Sequence, residues 1–436
     1  MRRTLLFLLD IALLYAGLLA MLGIRYHGDL AVHFKLHLVP FSMIFAVWLL
    51  VFYIAGLYET RNFRNGPQFY SLLAQAVSIS SAISLAFFYL LPVFGITPKT
   101  NLFIFIVLFS ALDAFVRWLF NRALEASFRK RTLIVSAEAS AQEMIALVKN
   151  HPQLGYELTA VIAPDQTAEL ERIVSEGKLD VIVIGPDAYR VPAIIETFYH
   201  ALRKKIAFYS LSSFFERLTG RVPLGAINQI WFLDNFTEST KRPYESAKRV
   251  LDAFFGFIFG LISLIFYPFI ILAIELNSPG PIFYTQVRIG QMGKPFKIVK
   301  FRTMIPNAEA GTGAIWATDH DTRVTAVGRF LRRSRLDELP QLWNIVRGDM
   351  SLVGPRAERP EFHDELRSQI PFYEERYLIK PGLSGWAQIN FRYGSSVEDA
   401  AEKLQYDLYY IKNRSFALDL GIVLKTIRIA LQQAGK

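Results

Sequence analysis

Apolar residues along this chain come in two textures. In the first third they form long runs: Leu5 to Ile24, Val39 to Leu57, Phe69 to Leu91 and Leu102 to Phe120. Each run is close to the ~20 residues that cross ~30 Å of hydrocarbon as a helix, so the pattern predicts a four-helix membrane domain. From Arg131 the runs shorten and alternate with helical patterns. TLIVS, YELTAVIAP from Tyr156, DVIVIGP from Asp180 and IAFYSL from Ile206 read as strands. Gln142–Lys149, Ala168–Glu176 and Pro192–Lys204 read as helices between them. A βαβα alternation of this kind predicts a small parallel sheet with helices on its faces.

A fifth apolar run, Ala253 to Ile274, is long enough to span a bilayer at about 1.5 Å per residue. A simple span would put the rest of the chain on the far side. Lys248 and Arg249 precede the run, and Pro281 to Arg302 carries Arg288, Lys294, Lys297, Lys300 and Arg302 with no acid. Both flanks therefore bear the cytoplasmic signature. Pro268 lies inside the run, where it kinks or breaks a helix. A helix that enters over about 250–276, bends and returns to the same face fits both facts better than a span does. After it come two short strand-like segments, IFYTQVRIG and KPFKIVKFRTM, then Gly- and Pro-punctuated loops and a helical C-terminal end.

Charge orients the first four helices. Arg2 and Arg3 precede them, Arg61 and Arg64 lie between the second and third, and Arg122, Arg129, Lys130 and Arg131 follow the fourth. The opposite connections carry Arg25 and Lys35 with Asp29, and Lys99, so both ends of the bundle are expected in the cytoplasm. Asp113 and Arg117 stand one turn apart in the fourth run, and a structural i,i+4 pair is the expected reading over a transport pathway. The chain of 436 residues is 52% hydrophobic, has net charge +10 and contains no cysteine. Disulfides, thiolate nucleophiles and Cys-based metal sites are thereby excluded. The basic balance suits anionic lipid head groups, phosphorylated substrates or nucleic acid, and composition does not choose among them. No cleavable signal peptide is evident.

After the first strand of the α/β region a dinucleotide site needs glycines for its turn. Ser136, Ala137, Glu138, Ala139 and Ser140 stand there instead, so a regulatory or assembly module is expected. The strongest chemistry lies in GRFLRRSRLDELPQLWNIVRGDMSLVGPR, starting at Gly328. Adjacent acids, Asp337 and Glu338, follow Arg329, Arg332, Arg333 and Arg335 and precede Arg356. Carboxylates in a basic field suit a site where arginines neutralise phosphate while the acids hold a divalent cation or attack phosphorus. An ion-paired surface helix is the competing reading.

Five blocks carry a resemblance over Lys248 to about Ile429: SPGPIFYTQVRIG, KIVKFRTM, TRVTAVGRFLRRSRLDELPQLWNIVRGDMSLVGPR, KPGLSGWAQIN and YDLYYIKNRSFALDL. This part resembles the bacterial sugar transferase family, the monotopic phosphoglycosyl transferases that start polysaccharide assembly on a polyprenyl phosphate. The whole looks like its large polytopic members, and WAQINFRYGSSVEDA looks like the exosortase-associated subgroup. The resemblance implies three parts. A four-helix transmembrane domain occupies 1–124, a degenerate Rossmann-like α/β domain 125–240, and an α/β catalytic domain with a re-entrant helix 241–436.

It further implies transfer of a sugar 1-phosphate from a UDP-sugar to undecaprenyl phosphate at the cytoplasmic face of the bacterial inner membrane. Asp337 would be the nucleophile, forming an aspartyl phosphosugar and releasing UMP, and Glu338, with Asp337, would hold Mg²⁺. Lys300, Arg302, Arg335, Arg356 and Arg392 are the phosphate-contact candidates, and Asp407 is either a structural cap or a site residue. Lipid bilayer, UDP-sugar and undecaprenyl phosphate are the implied partners, with no nucleic acid, and a homodimer is allowed. Ala357 after Arg356, where the family usually has proline, and Phe391 after Asn390, where it usually has glycine, leave the sugar open. Two alternatives stand beside this reading: a membrane-anchored nucleotide-sugar modifying enzyme, and a non-enzymatic scaffold or transporter.

Overall fold

The computed structural model describes residues 2–26, 28, 30–59, 65–90, 99–127, 129–236, 238–306, 308, 321–391 and 396–434. The chain divides into two compact units, Met1–Leu211 and Ser212–Lys436.

The first unit opens with α1 (Arg2–Arg25), α2 (Leu30–Ala55), α3 (Pro67–Leu90) and α4 (Lys99–Ser127), all long and apolar enough to cross a membrane. Lipid tails are as apolar as leucine, so packing and polar contacts, not water exclusion, hold such helices together. Phe41, Phe45, Trp48 and Phe52 of α2 interleave with Phe105 and Phe109 of α4 to supply the packing. The polar contact is a buried charge cluster. Arg117 Nε donates to both Asp113 oxygens at 3.0 Å and Nη2 reaches Asp10 Oδ2 at 2.5 Å, where the Tyr58 hydroxyl also donates at 2.7 Å. The pair seen in sequence therefore exists and is joined by Asp10 of α1 and Tyr58 of the turn after α2. Asp29, Arg61 and Arg64 lie outside the described residues.

The same unit continues with β1 (Lys130–Val135), α5 (Ala139–Asn150), β2 (Tyr156–Ile162), α6 (Thr167–Ser175), β3 (Val181–Ile184), α7 (Pro192–Ala201) and β4 (Ala207–Ser210). All strand pairs are parallel, in the order β2-β1-β3-β4. The end of β1 is already occupied by a side chain: Asp187 accepts from Ala137 N at 2.7 Å and from Ser136 Oγ at 3.0 Å. Gly185 permits this, since a Cβ there would lie 2.2 Å from Asp187 Oδ1.

The second unit takes in most of α8 (Leu211–Thr219), then α9 (Gln229–Asn235), α10 (Glu238–Ser263) and α11 (Tyr267–Asn277). The described axes of α10 and α11 meet at 59°. Pro268 sits in the first turn of α11, where its missing N–H breaks no hydrogen bond, so the chain bends just ahead of the proline. Phe254, Phe257, Leu261, Ile265, Phe269, Leu272 and Leu276 are exposed along the pair. Next come the hairpin β5 (Phe283–Ile289) and β6 (Pro295–Phe301), α12 (Ala326–Ser334), α13 (Gln341–Arg347) and β7 (Ser351–Val353). α14 (Pro360–Gln369), β8 (Gly382–Ser384), α15 (Trp386–Asn390), α16 (Val397–Asn413) and α17 (Phe416–Ala434) complete the unit.

One core of this unit gathers Val353, Leu366, Tyr373, Leu404, Leu408, Tyr410 and Val222. Val222 comes from the segment after α8, which is fastened to the rest of the unit. Glu216 pairs with Lys412 at 2.9 Å, and the Gly220 carbonyl accepts from Trp386 Nε1 at 2.6 Å.

Candidate active site

Asp337 and Glu338 sit in a single 3-10 turn, Leu336–Glu338, between α12 and α13. Three local features put the turn where it is. Thr325 caps α12 by accepting from Gly328 N. Gly328 lets the helix touch the end of β6, because a Cβ there would lie 2.0 Å from the Thr303 carbonyl oxygen. Arg335 ends α12 in the left-handed region, φ 59°, which turns the chain sharply into the two acids.

Both carboxylates are buried, and their surroundings differ. Glu338 Oε1 accepts from Lys300 Nζ at 3.0 Å and Arg356 Nη2 at 3.1 Å, while Oε2 faces Arg335 Nη1 at 3.5 Å. Burial alone raises the Glu338 carboxyl, but Lys300, Arg356 and Arg335 together outweigh it and hold the group well below the usual carboxylate range. Asp337 Oδ1 is buried with no hydrogen-bond partner among the described residues. Burial and the neighbouring Glu338 charge push Asp337 up to about 6, against the pull of Lys300, Arg332 and Arg356. One acid is thus an ion-paired anchor and the other an under-solvated acceptor, a division seen where two carboxylates have different tasks.

Five of the residues singled out in the sequence meet here: Asp337, Glu338, Lys300, Arg335 and Arg356. Arg302 is engaged elsewhere, donating to the carbonyls of Ser278 and Pro279 in the turn after α11. Arg392 lies outside the described residues. Asp407 is buried on α16 and accepts from Arg376 at 2.8 Å; burial pushes it up to about 6 despite that partner.

Several supports come from residues not singled out in the sequence. Asn344 of α13 donates to the Lys297 carbonyl at 2.8 Å and accepts from Val299 N at 3.3 Å, fixing β6 so that Lys300 reaches Glu338. Gly256 and Gly260, one turn apart on α10, let the apolar helix close on α13. Cβ atoms there would lie 3.1 Å from Ile345 Cγ2 and 3.3 Å from Trp343 Cζ2. The G-x-x-x-G spacing was visible, and its face would have named a helix partner.

Among the described residues no group of three or more His, Asp or Glu is placed to hold a metal unaided. Mg²⁺ commonly uses one or two carboxylates and takes substrate phosphates for the rest. The unpartnered Asp337 Oδ1 beside Glu338 fits that kind of shared shell.

Residues 243–433 match the family described as Bacterial sugar transferase. A UDP-N-acetylgalactosamine-undecaprenyl-phosphate N-acetylgalactosaminephosphotransferase of Aeromonas hydrophila is 40% identical over 235 residues, covering 53% of this chain and 53% of that protein. A UDP-glucose:undecaprenyl-phosphate glucose-1-phosphate transferase of Escherichia coli (strain K12) is 32% identical over 338 residues, 71% of this chain and 69% of that protein. Another protein with the same description, from Caulobacter vibrioides, is 44% identical over 185 residues, 41% of this chain and 68% of that protein. The chain therefore spans about half the length of the first of these relatives and about two thirds of the other two.

Proposed function

The chain belongs to the bacterial sugar transferase family, and from that premise we propose that it moves a sugar 1-phosphate from a UDP-sugar to undecaprenyl phosphate. The observation that carries the reading is Asp337 Oδ1, a carboxylate oxygen with no hydrogen-bond partner among the described residues, beside a cluster of cations. In the first step an Asp337 oxygen bonds to the phosphorus that bears the sugar, and the bridging P–O bond of the diphosphate breaks. UMP leaves with the electron pair, and the sugar phosphate is held as an acyl phosphate. In the second step an oxygen of undecaprenyl phosphate attacks the same phosphorus, the acyl–phosphate bond breaks, and the Asp337 carboxylate returns. A carboxylate nucleophile divides one hard transfer into two easier ones.

Lys300, Arg335 and Arg356 are assigned to the donor phosphates. In the free protein Glu338 stands in for that anion and keeps the three cations aimed. Asp337 and Glu338 are the residues to hold Mg²⁺, which when bound supplies positive charge against that building on the departing UMP. Arg302 is assigned to holding the turn after α11. The bent α10–α11 pair is read as a re-entrant hairpin, with both flanks and the active site at the cytoplasmic face of the inner membrane; its exposed apolar side chains and basic flanks support this. The parallel sheet of the first unit is read as a Rossmann-like module whose phosphate position is filled by Asp187.

The test is a screen. Purified protein, Mg²⁺ and undecaprenyl phosphate are incubated with a panel of UDP-sugars that includes glucose and N-acetylgalactosamine, the two sugars named among the relatives. Release of UMP with at least one donor is expected. Release of no nucleotide, or of UDP in place of UMP, would refute the reaction.

A further inference from the structure

Residues 354–359, which carry Arg356, adopt neither helix nor strand, yet four consecutive carbonyls in this stretch are each held by a different donor. Pro355 O accepts from Gly382 N at 2.8 Å and Glu358 O from Ile289 N at 2.9 Å. Between them, Arg356 O accepts from Arg376 Nη2 at 3.2 Å and Ala357 O from Arg288 Nη1 at 3.2 Å. Two backbone amides are ordinary partners for a loop. Two largely buried guanidiniums that also donate to neutral carbonyls are less ordinary, because burying such charges costs stability that an apolar side chain would avoid.

We propose that Arg288 and Arg376 are positioning residues that fix the backbone of 355–358 and thereby aim Arg356 at the carboxylate pair and the donor phosphates. The inference rests on the transfer reaction proposed above. Arg376 reaches the segment from a rigid base: Nη1 donates to Tyr373 Oη at 2.7 Å and Nη2 to Asp407 at 2.8 Å. Asp407 thus acts at one remove, as the counter-charge that holds Arg376. Arg288 works from β5 and is less well neutralised. Its donors are shared with Gln286 Oε1, at 2.7 and 3.1 Å, and the Glu358 carboxylate stands off at 3.8 Å. Arg356 itself is a long, partly exposed side chain that must place Nη2 3.1 Å from Glu338 Oε1. A backbone shift of about 1 Å is enough to lose that alignment and, with it, one charge-assisted contact to the donor phosphates.

Arg288→Lys and Arg376→Lys keep the charge and lose the planar fork that spans two acceptors. Asp407→Asn keeps the shape and removes the counter-charge. Each is made in the full-length protein, reconstituted in lipid nanodiscs, and read three ways: thermal midpoint, hydrogen–deuterium exchange of the 354–359 peptide, and UMP-release kinetics. Both lysine variants are expected to raise exchange in 354–359 above that of the α16 peptide. They should also raise KM for the UDP-sugar about tenfold, the worth of one charge-assisted hydrogen bond, while kcat stays within a factor of about three. Asp407→Asn is expected to shift both in the same direction by less. Unchanged exchange of 354–359 in both lysine variants, or a fall in kcat at constant KM, overturns the assignment. If the wild type releases UMP from no donor, the reaction fails, and the exchange comparison still decides whether the two arginines hold the segment.

Discussion

Replacing Asp337 by asparagine should leave the protein inactive and more stable. The folded chain holds this carboxyl 7% exposed, with one oxygen lacking any partner among the described residues. Burial and the Glu338 charge move it from an ordinary 3.8 to about 6. At 1.36 kcal/mol per pH unit, ionising it in the native state costs about 3 kcal/mol at neutral pH, an upper bound for a pair that shares its field. The sign follows from proton counting. Below the unfolded value both states are protonated and nothing is lost. Between about 4 and 6 the unfolded chain has released the proton and the folded chain has not, so stability falls as pH rises, and above about 6 the full cost is present.

Asparagine keeps the shape and carries no charge. For a unit of this size the gain corresponds to a rise in midpoint of roughly 6–12 °C at most. Scanning fluorimetry of wild type and Asp337→Asn at several pH values between 4.5 and 8 measures it. The advantage of the variant should be largest at pH 7 and above and shrink toward pH 4.5. A variant that melts at or below the wild type at pH 7.5, or whose advantage grows on acidification, would refute the electrostatic account of this site.

Glu338→Gln leaves Lys300, Arg335 and Arg356 without their shared anion and should lower stability by about 2 kcal/mol. The same change removes a charge that raises Asp337, so the acid limb of kcat/KM should move below about 6, as a pH profile will report. Gly256→Val or Gly260→Leu drives a side chain into Ile345 or Trp343 and should reduce UMP release at least tenfold while the protein still partitions to membranes, judged by fractionation. Arg117→Met should lower the stability of the membrane bundle by about 3–5 kcal/mol, read as a lower thermal midpoint, and adding Asp10→Asn and Asp113→Asn should restore most of it, because the penalty comes from the two carboxylates left facing each other.

The parts of this protein that the sequence made legible are those with strong local rules. A bilayer demands about twenty apolar residues per span, and the first four helices obey that rule residue by residue. Period-two and helical patterns located the four parallel strands, and the acidic pair drew notice as two carboxylates among many arginines, a pattern that an ion-paired surface helix would share. The parts that were hidden depend on contacts between distant positions. Asp10 meets Arg117 across 107 residues, and no pattern within either helix announces it. Lys300 lies on β6 and Arg302 just past its end, one reaching Glu338 and the other the carbonyls after α11; period-two alternation would place i and i+2 on one face, and it is the end of the strand at Phe301 that parts them. Asp407 read equally well as a cap or a site residue, because only the fold shows that it holds Arg376, and through it the Arg356 carbonyl.

The central claim is that Asp337 carries the phosphosugar. It is tested most directly by mixing the protein with Mg²⁺ and an accepted UDP-sugar, without undecaprenyl phosphate, quenching in acid and analysing peptides by mass spectrometry. The account predicts one sugar phosphate added to the peptide that contains Asp337, formed together with an equal burst of UMP, discharged on adding undecaprenyl phosphate, and absent in Asp337→Asn. Full turnover by Asp337→Asn, or product formed with no adduct at Asp337 under conditions where the burst is seen, would contradict it.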